Sequence, residues 1–316
     1  MTIERGVLPA DSASAYRMGL LLVTLSAVAW STAGYFTRAI PLDAGTILFW
    51  RGVFGAATGL VFIVAMERGA TLRAFARIGW PGLSFCVLSS CGMISFLYAL
   101  KLTSVAHVAI IYAAVPFVAA ALAWTVLRER ASPATLAASL AALAGVAVTV
   151  AGSGGEGGLA GDALALAMTC FMAAVMVVRR RSRDVPMVPA ACLSAALTAL
   201  ASLPLASPWP VPWHDLAALA LFGSTNMGLG LILFVIGAAL IPAAQTALIG
   251  ALETPLAPLW VWLAFGETPQ PATLLGGAVV MAAVIGNIVA ENGRPSNGER
   301  PGTRPGQAEI HERERP

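Results

Sequence analysis

Two stretches of this chain, 104–130 (SVAHVAIIYAAVPFVAAALAWTVLRER) and 242–268 (PAAQTALIGALETPLAPLWVWLAFGET), are copies of one another. A shift of 138 residues aligns six identical pairs: Ala106/Ala244, Ala109/Ala247, Ile111/Ile249, Ala113/Ala251, Trp124/Trp262 and Glu129/Glu267. Each copy has a proline near its middle, Pro116 in the first and Pro255 in the second. Because proline removes a backbone donor, we expect it to interrupt the helix in each copy. The chain therefore contains an internal repeat built around broken apolar helices.

The composition of the chain is that of an integral membrane protein. Of its 316 residues 58% are hydrophobic and only 11% are charged, and the mean hydropathy is +0.80, whereas soluble domains carry about 25% charged residues. A bilayer core needs about 20 apolar residues per helix. Ten such runs fill most of the sequence: 16–37, 45–66, 79–100, 104–127, 134–152, 159–178, 187–206, 214–238, 243–265 and 272–290. They are continuously apolar rather than alternating, which predicts an all-α fold of ten transmembrane helices without a separate soluble domain.

The basic residues predict how these helices are threaded. With the N-terminus in the cytoplasm, sixteen of the 19 basic residues fall in cytoplasmic segments. Only Arg38 and Lys101 fall in outer segments, and Arg51 lies inside the second helix. This asymmetry follows the positive-inside rule, and one missed helix would put the later basic clusters on the wrong side. We therefore expect a multi-pass protein of the cell inner membrane with both termini in the cytoplasm.

Five helices in each half make the two halves enter the membrane from opposite sides. The predicted organisation is a cytoplasmic tail at 1–15, a five-helix repeat at 16–151, a glycine-rich linker at 152–158, a second five-helix repeat at 159–290 and a disordered cytoplasmic tail at 291–316. Inverted-topology repeats with interrupted helices are the usual architecture of secondary transporters, whose substrates bind near the bilayer midplane.

The sequence carries no motif of a soluble enzyme, a metal site or a cofactor site. Phosphate-binding glycine loops, zinc motifs and nucleophile elbows are lacking. The four cysteines fall inside predicted helices, where we expect buried thiols rather than a metal or disulfide framework. The expected partners are a small-molecule substrate and the lipid bilayer, with protons as a candidate coupling ion and no nucleic acid. We expect a monomer or a homodimer.

Glu253 is the first candidate for a functional residue. It lies about ten residues from either end of its helix, close to the bilayer midplane. A charge there costs about 2.5–3.5 kcal/mol on insertion scales, so Glu253 either faces a cavity and titrates or is hydrogen-bonded for packing. Carbonyl groups that nearby prolines leave free can face a substrate path. Pro116, Pro255 and Pro258 are therefore predicted helix breaks or hinges.

Three further polar residues are candidates for the substrate cavity, each with an alternative role. Arg51 binds an anion in the cavity, extends to the outer interface, or forms a structural ion pair. His107 relays protons, because histidine titrates near neutrality, or it makes structural hydrogen bonds; its counterpart in the second repeat is Gln245. Asn226 lines the cavity or bonds across a close helix contact made by neighbouring glycines.

Aromatic residues near the middles of predicted helices are the remaining candidates. Each lines an apolar pocket or faces lipid or the protein core. They are Trp30, Tyr98, Tyr112 and Trp260. Glu129 and Glu267, which match in the two copies, are predicted to orient the helix ends rather than to bind substrate.

Five short motifs recur in a characteristic order: Ala29-Trp30-Ser31-Thr32, Phe49-Trp50-Arg51, Ile241-Pro242-Ala243-Ala244-Gln245, Leu252-Glu253-Thr254-Pro255 and Phe265-Gly266-Glu267. Together they resemble the drug/metabolite transporter (DMT) superfamily, and within it the bacterial EamA-type group with ten helices in two repeats. The resemblance covers about residues 16–290. It implies a gradient-linked carrier, often an exporter of amino acids or other metabolites, with a central cavity between the halves.

One departure from the family pattern affects the expected mechanism. Family repeats commonly carry Glu directly before Pro, whereas Thr254 intervenes here and Val115 takes the matching place in the first repeat. Only one copy therefore offers a midplane carboxylate.

The leading hypothesis is a secondary active transporter that exports a small, amino-acid-like metabolite by alternating access, with proton coupling at Glu253. Two other classes of protein stay open. An intramembrane enzyme would use His107 and Glu253 as acid and base, and it needs the two side chains close together. A non-transporting membrane subunit or sensor predicts a filled, dry centre.

Overall fold

The structure, a computed structural model, describes residues 12–67, 70–128, 133–151, 158–182 and 184–292. Within these ranges the chain is helical and contains no strand. The first half contains α1 (Ser12–Ser31), α2 (Ala33–Ala39), α3 (Ala44–Glu67), α4 (Thr71–Ala76), α5 (Gly79–Leu102), α6 (Val105–Tyr112), α7 (Val115–Leu127) and α8 (Pro133–Ala151). The second half contains α9 (Leu159–Arg181), α10 (Met187–Ser202), α11 (Trp213–Phe222), α12 (Gly230–Ala238), α13 (Ala243–Gly250), α14 (Glu253–Phe265) and α15 (Pro271–Asn292). A 3-10 turn, Leu203–Leu205, follows α10, and a π-helical segment, Gly223–Leu229, joins α11 to α12.

Over the described residues all ten predicted apolar runs are mainly helical, and the all-α membrane fold is confirmed. Over the described ranges, nine helical segments are long and apolar enough to cross a membrane. The remaining run, 243–265, forms the two shorter helices α13 and α14. Sequence reasoning did not predict α4, a short helix between the second and third runs. Most of both predicted tails (1–11 and 293–316) and the linker residues 152–157 lie outside the described residues.

The two sequence copies adopt the same broken-helix structure. Each has a helix of 8 residues, two turn residues and a second helix of 13 residues, in α6–α7 and in α13–α14. Pro116 and Pro255 lie in the first turn of α7 and of α14, where backbone donors have no partner within the helix. Both second helices end in a left-handed residue, Arg128 (φ 55°) and Gly266 (φ 70°). The repeat is thus conserved down to its backbone geometry.

The connections between helices gather at two opposite ends of the bundle. We name the first the Arg38 end, where Arg38 bonds to Glu267 and to the carbonyl of Thr103, and where the backbone of Ser207 bonds to Thr46. The opposite end, named the Arg179 end, holds the C-terminal turn of α9 and the start of α10. This arrangement agrees with the predicted alternation of the chain between two sides.

The most extensive packing always joins a helix of one repeat to a helix of the other. The principal pairs are α3 with α10, α8 with α15, α5 with α9, and α1 with α12. The first two pairs join helices that occupy the same position in the two repeats. Each of the last two pairs joins the first membrane-spanning segment of one repeat to the third of the other. This pairing is what two interlocked inverted repeats require. The largest cluster of buried apolar side chains lies toward the Arg38 end and includes Ile40, Leu48, Leu100, Val105 and Phe222.

Close packing of α8 on α15 predicts a difference between two glycines of one helix. A Cβ on Gly276 would overlap the hydroxyl of Thr149 and the carbonyl of Gly145, whereas a Cβ on Gly286 has no atom within 4 Å. We expect Gly276→Ala to destabilise the protein by about 1–3 kcal/mol through overpacking. Gly286→Ala should be neutral or slightly stabilising, because alanine favours helix by about 0.5–1 kcal/mol over glycine. Thermal unfolding of both variants in detergent tests this, and equal midpoints would contradict it.

Candidate functional site

A cavity of about 240 Å³ lies between the two repeats, and we name it the central cavity. Helices of both repeats line it, including both broken-helix pairs: Tyr112 is the last residue of α6 and Glu253 is the first residue of α14. The cavity extends to Arg179 and Met187 at the Arg179 end. Five of the eight predicted cavity residues line it: Trp30, Arg51, Tyr112, Asn226 and Glu253.

Arg51 points into the protein rather than toward the membrane interface. The residue is only 2% exposed, and its guanidinium carbon lies 4.6 Å from the ring centroid of Phe222. Its Nη2 donates to Asn226 Oδ1 at 2.6 Å, and its Nη1 contacts the sulfur of Met93. Its Nε has no partner among the described residues, and no described carboxylate lies within ion-pair distance. The cavity wall therefore contains a buried cation that no anion neutralises within this part of the chain.

Asn226 holds Arg51 in place by bridging three helical elements. It lies in the π-helical segment, and its side-chain amide donates to the carbonyls of Ala29 (2.9 Å) and Trp30 (3.2 Å) on α1. In return, the Trp30 indole donates to the backbone carbonyl of Asn226 at 2.9 Å. A π-helical turn shifts the backbone hydrogen-bond register, and such turns are frequent at functional sites. The bond across a close helix contact and the position on the cavity wall are both present, so the two predicted roles of Asn226 coexist.

Glu253 and Tyr112 meet where the two broken helices approach each other. Glu253 begins α14, so its carboxylate lies beside backbone donors that have no partner within the helix. Neither carboxylate oxygen is hydrogen-bonded to another described side chain, and the residue is half-buried against the cavity. The matching residue of the first repeat, Val115, is buried at 3% exposure in the apolar core. The two copies thus place a carboxylate on only one side of the cavity.

The apolar wall of the central cavity was not predicted from the sequence. It contains five methionines, Met93, Met168, Met172, Met187 and Met227, and three phenylalanines, Phe85, Phe96 and Phe234. Met168 and Met172 are four residues apart on α9, a spacing that places both on one helix face. That spacing is the one feature of the sequence that could have indicated the apolar wall. However, an apolar stripe on a membrane helix more often faces lipid or the protein core.

Several predicted residues do not reach the central cavity. Tyr98 is half-buried and packs against the core cluster near the Arg38 end. The Trp260 indole donates to the Ser31 hydroxyl at 2.8 Å, which ties α14 to α1. Pro116 borders a separate crevice, Pro255 is exposed, and Pro258 lines a pocket at the Arg38 end. Pro258 lies inside α14, which continues to Phe265, so the helix break predicted there is wrong. Tyr98 and Trp260 therefore contact other parts of the protein rather than the central cavity in this conformation.

His107 lies in a different place from Glu253. It borders a pocket of about 350 Å³ at the Arg38 end, together with Arg38, Lys101 and Glu267. There, Arg38 Nε donates to Glu267 Oε2 at 3.1 Å, and the backbone N–H of Val105 donates to Glu267 Oε1 at 3.4 Å. His107 and Glu253 line different pockets and are not hydrogen-bonded to each other, so the acid–base pair is not assembled in this conformation.

The comparison with protein families agrees with this architecture. The model of the EamA-like transporter family matches residues 17–151 and 159–289, one match for each half. The chain belongs to the EamA-like transporter family. It is accordingly a multi-pass membrane transporter of the DMT type, with a small-molecule substrate and the lipid bilayer as its partners.

A solved structure supports the fold of this EamA-like transporter. It is described only as the crystal structure of a protein, and it superposes with a TM-score of 0.62 at 23% sequence identity. The match covers 89% of this chain and 98% of that chain. At this identity the likeness shows the fold alone. No curated protein sequence gave a match to the chain.

Proposed function

We propose that this EamA-like transporter is a secondary active exporter that carries a zwitterionic, amino-acid-like solute across the inner membrane by alternating access. The observation that carries the proposal is that one cavity contains two side chains of opposite charge that do not pair with each other. Arg51 and Glu253 both line the central cavity, yet no ion pair joins them. An unneutralised buried charge is costly, so a ligand that brings the complementary charges gains affinity at both places.

The substrate class follows from the remaining walls. Arg51 offers a fork of donors that suits a carboxylate, and Glu253 offers an acceptor for an ammonium group. In the same cavity, methionine and phenylalanine side chains form an apolar surface. Methionine is unbranched and polarisable, so it adapts to ligands of different shape. We therefore favour α-amino acids with large apolar side chains, such as leucine, methionine and phenylalanine.

The shape of the cavity supports a transport cycle that begins in the cytoplasm. The central cavity extends to the Arg179 end, while the core cluster and the Arg38–Glu267 pair close the Arg38 end. The positive-inside rule favours a cytoplasmic position for the Arg179 end, which carries Arg179, Arg180 and Arg181. In that orientation the central cavity faces the cytoplasm, where an exporter would load its substrate.

A binding screen followed by flux measurement tests the proposal. Purified protein is heated in the presence of amino acids, nucleosides and organic acids, and each compound that raises the unfolding temperature is then assayed by counterflow in proteoliposomes. We expect leucine, methionine and phenylalanine to stabilise the protein and to exchange, because ligands that bind the native state stabilise it.

Two derivatives of one amino acid separate the contributions of its charges. N-acetylphenylalanine lacks the ammonium group and phenylalaninamide lacks the carboxylate, so each should bind more weakly than phenylalanine. Protein-free liposomes serve as the control for leak. Counterflow that no zwitterion supports would overturn the substrate class, and a complete lack of flux for every stabilising compound would favour a non-transporting sensor.

A further inference from the structure

A buried network of polar side chains joins the two repeats at the Arg38 end. His107 on α6 of the first repeat meets Asp162 on α9 of the second, with Nδ1 3.2 Å from Oδ1. The other imidazole nitrogen, Nε2, lies 3.1 Å from the hydroxyl of Thr273 on α15. Thr103, at the end of α5, donates its hydroxyl to the same Asp162 oxygen at 2.9 Å. Sequence reasoning singled out His107 but missed Asp162 altogether.

The network satisfies the imidazole in both of its protonation states. All four side chains are at most 5% exposed. A neutral His107 donates from Nδ1 to Asp162 and accepts at Nε2 from the Thr273 hydroxyl. A charged His107 donates from both nitrogens, and the Thr273 oxygen accepts. Only the hydroxyl hydrogen of Thr273 has to rotate when the proton arrives, and the proton converts a hydrogen bond between the repeats into an ion pair.

Other charges surround His107 but do not replace Asp162 as its partner. Of the elements packed against α6, α5 contributes Lys101, and α14 contributes Glu253, at the central cavity. Beyond the end of α14, Glu267 is bonded to Arg38. At their far ends α9 carries Arg179, Arg180 and Arg181 and α15 carries Glu291, while α8 carries no charged residue. Asp162 is therefore the carboxylate within bonding distance of the imidazole in the described part of the chain.

The network is accessible from one side of the protein. His107, Thr103 and Thr273 all border the pocket of about 350 Å³ at the Arg38 end. The central cavity, which extends toward the opposite end, has none of these residues in its wall. Protons from solution at the Arg38 end therefore have a path to the imidazole, whereas protons at the Arg179 end do not share it in this conformation.

We propose that His107 and Asp162 form a proton-binding site between the repeats, through which acidic solution at the Arg38 end holds that end closed. Protonation adds an ion pair that exists only while α6 and α9 are packed together. When the Arg38 end opens, the pair separates, and that contribution is lost. The consequence for transport rests on the proposed function: acid outside the cell would shift the transporter toward its cytoplasm-facing conformation.

Histidine NMR tests proton binding directly, because the chain contains only three histidines, His107, His214 and His311. We would label histidine with ¹⁵N in protein held in lipid nanodiscs and assign the signals with His107→Gln and His214→Gln. Glutamine is chosen because the second repeat carries Gln245 at the matching position. It keeps hydrogen-bonding capacity and removes titration. We expect the His107 signal to change from the neutral toward the charged form as the pH at the Arg38 end is lowered.

Distance measurement between spin labels tests the conformational effect. Labels at Leu102 and Leu205, both exposed and near the Arg38 end but in different repeats, report its opening once the native cysteines are replaced. We expect the ratio of closed to open populations to change by about fivefold or more between pH 5 and 8, the lower end of ordinary coupling. His107→Gln should abolish that dependence.

A matched control and a second variant make the test decisive. His214 is 3.2 Å from Asp215, but both belong to α11, so His214→Gln removes a histidine–aspartate pair that does not join the repeats. It should behave like the wild type. Asp162→Asn, which keeps an acceptor oxygen, should also remove the pH dependence and serves if His107→Gln folds poorly.

The outcomes separate this proposal from the proposed function. A His107 signal that is constant from pH 5 to 8 would overturn it, as would an equal pH-dependent distance change in His107→Gln and Asp162→Asn. Neither measurement uses substrate. If the amino acids fail to move in proteoliposomes while the His107 titration and its distance change persist, the proton site stands and the assigned transport activity does not.

Discussion

Replacing Arg51 with glutamine is expected to weaken binding of a zwitterionic substrate about 30-fold to several thousand-fold, the equivalent of about 2–5 kcal/mol. The reason is that Arg51 is a buried cation in the cavity wall without a carboxylate partner among the described residues. We expect little loss of thermal stability without substrate, because the change also removes an uncompensated buried charge. Binding and unfolding temperature are measured on the same preparation by calorimetry and thermal shift.

Arg51→Lys is the matched control for this experiment. Lysine keeps the charge but lacks the planar fork that the guanidinium presents to a carboxylate. We therefore expect binding between that of the wild type and that of Arg51→Gln. Phenylalaninamide, which has no carboxylate, should lose little affinity in either variant. A large drop in unfolding temperature combined with unchanged affinity would show instead that Arg51 serves packing through Asn226 and Phe222.

We propose that Glu253 also couples transport to protons, so Glu253→Gln is expected to abolish proton-driven accumulation and to weaken substrate binding, because the ammonium group loses its charged partner, while exchange persists at high substrate concentration. Glutamine has nearly the shape of glutamate but cannot exchange a proton with the cavity. One charge moving through 100 mV supplies about 2.3 kcal/mol, enough for roughly fifty-fold accumulation. In proteoliposomes we expect that ratio to fall to about one, while counterflow of labelled substrate continues at a measurable rate.

Asp215→Asn provides the control for the loss of a buried carboxylate. Asp215 is 6% exposed and lies in the first turn of α11, outside the central cavity. Its replacement should leave accumulation intact. If Glu253→Gln retains the pH dependence of the wild type, Glu253 is not the coupling residue. If counterflow is lost as well, the contact of Glu253 with the ammonium group is required for transport and not only for proton coupling.

Two of the three predicted helix breaks, those at Pro116 and Pro255, were predictable because they are encoded locally. Proline cannot donate a backbone hydrogen bond, so Pro116 and Pro255 had to lie at or near a helix start or disrupt a helix. The structure places each in a first helical turn, and the matching lengths of the two copies follow from the same signal. The threading of the chain was predictable for a similar reason, because basic residues are counted along the sequence and need no knowledge of packing.

The contacts around the cavity were not predictable from one sequence. Arg51 and Asn226 are 175 residues apart, and their meeting depends on how α3 rotates against the π-helical segment. In a soluble helix, polarity would reveal the inward face, but here the lipid-facing and core-facing sides are both apolar. For that reason the sequence did not distinguish Trp30 and Tyr112, which reach the cavity, from Tyr98 and Trp260, which do not. All four are aromatic residues near the middle of a predicted helix. Asp162 was not predicted as a site residue because it lies near a predicted helix start, where acidic residues are common because they interact favourably with the helix dipole.

The methionine wall makes the interior of the central cavity observable by spectroscopy. Five of the ten methionines of the chain line this cavity, and each ends in a methyl group that rotates freely and gives a sharp NMR signal. Labelling methionine methyl groups with ¹³C would therefore place half of all reporters at the surface that a substrate touches. Met18, Met66, Met176 and Met281, which lie elsewhere in the described part of the chain, provide an internal reference in the same spectrum. A solute that enters the cavity would shift methionine methyl signals without any engineered probe. Its position relative to Arg51 and Glu253 could be inferred from which methyl signals shift.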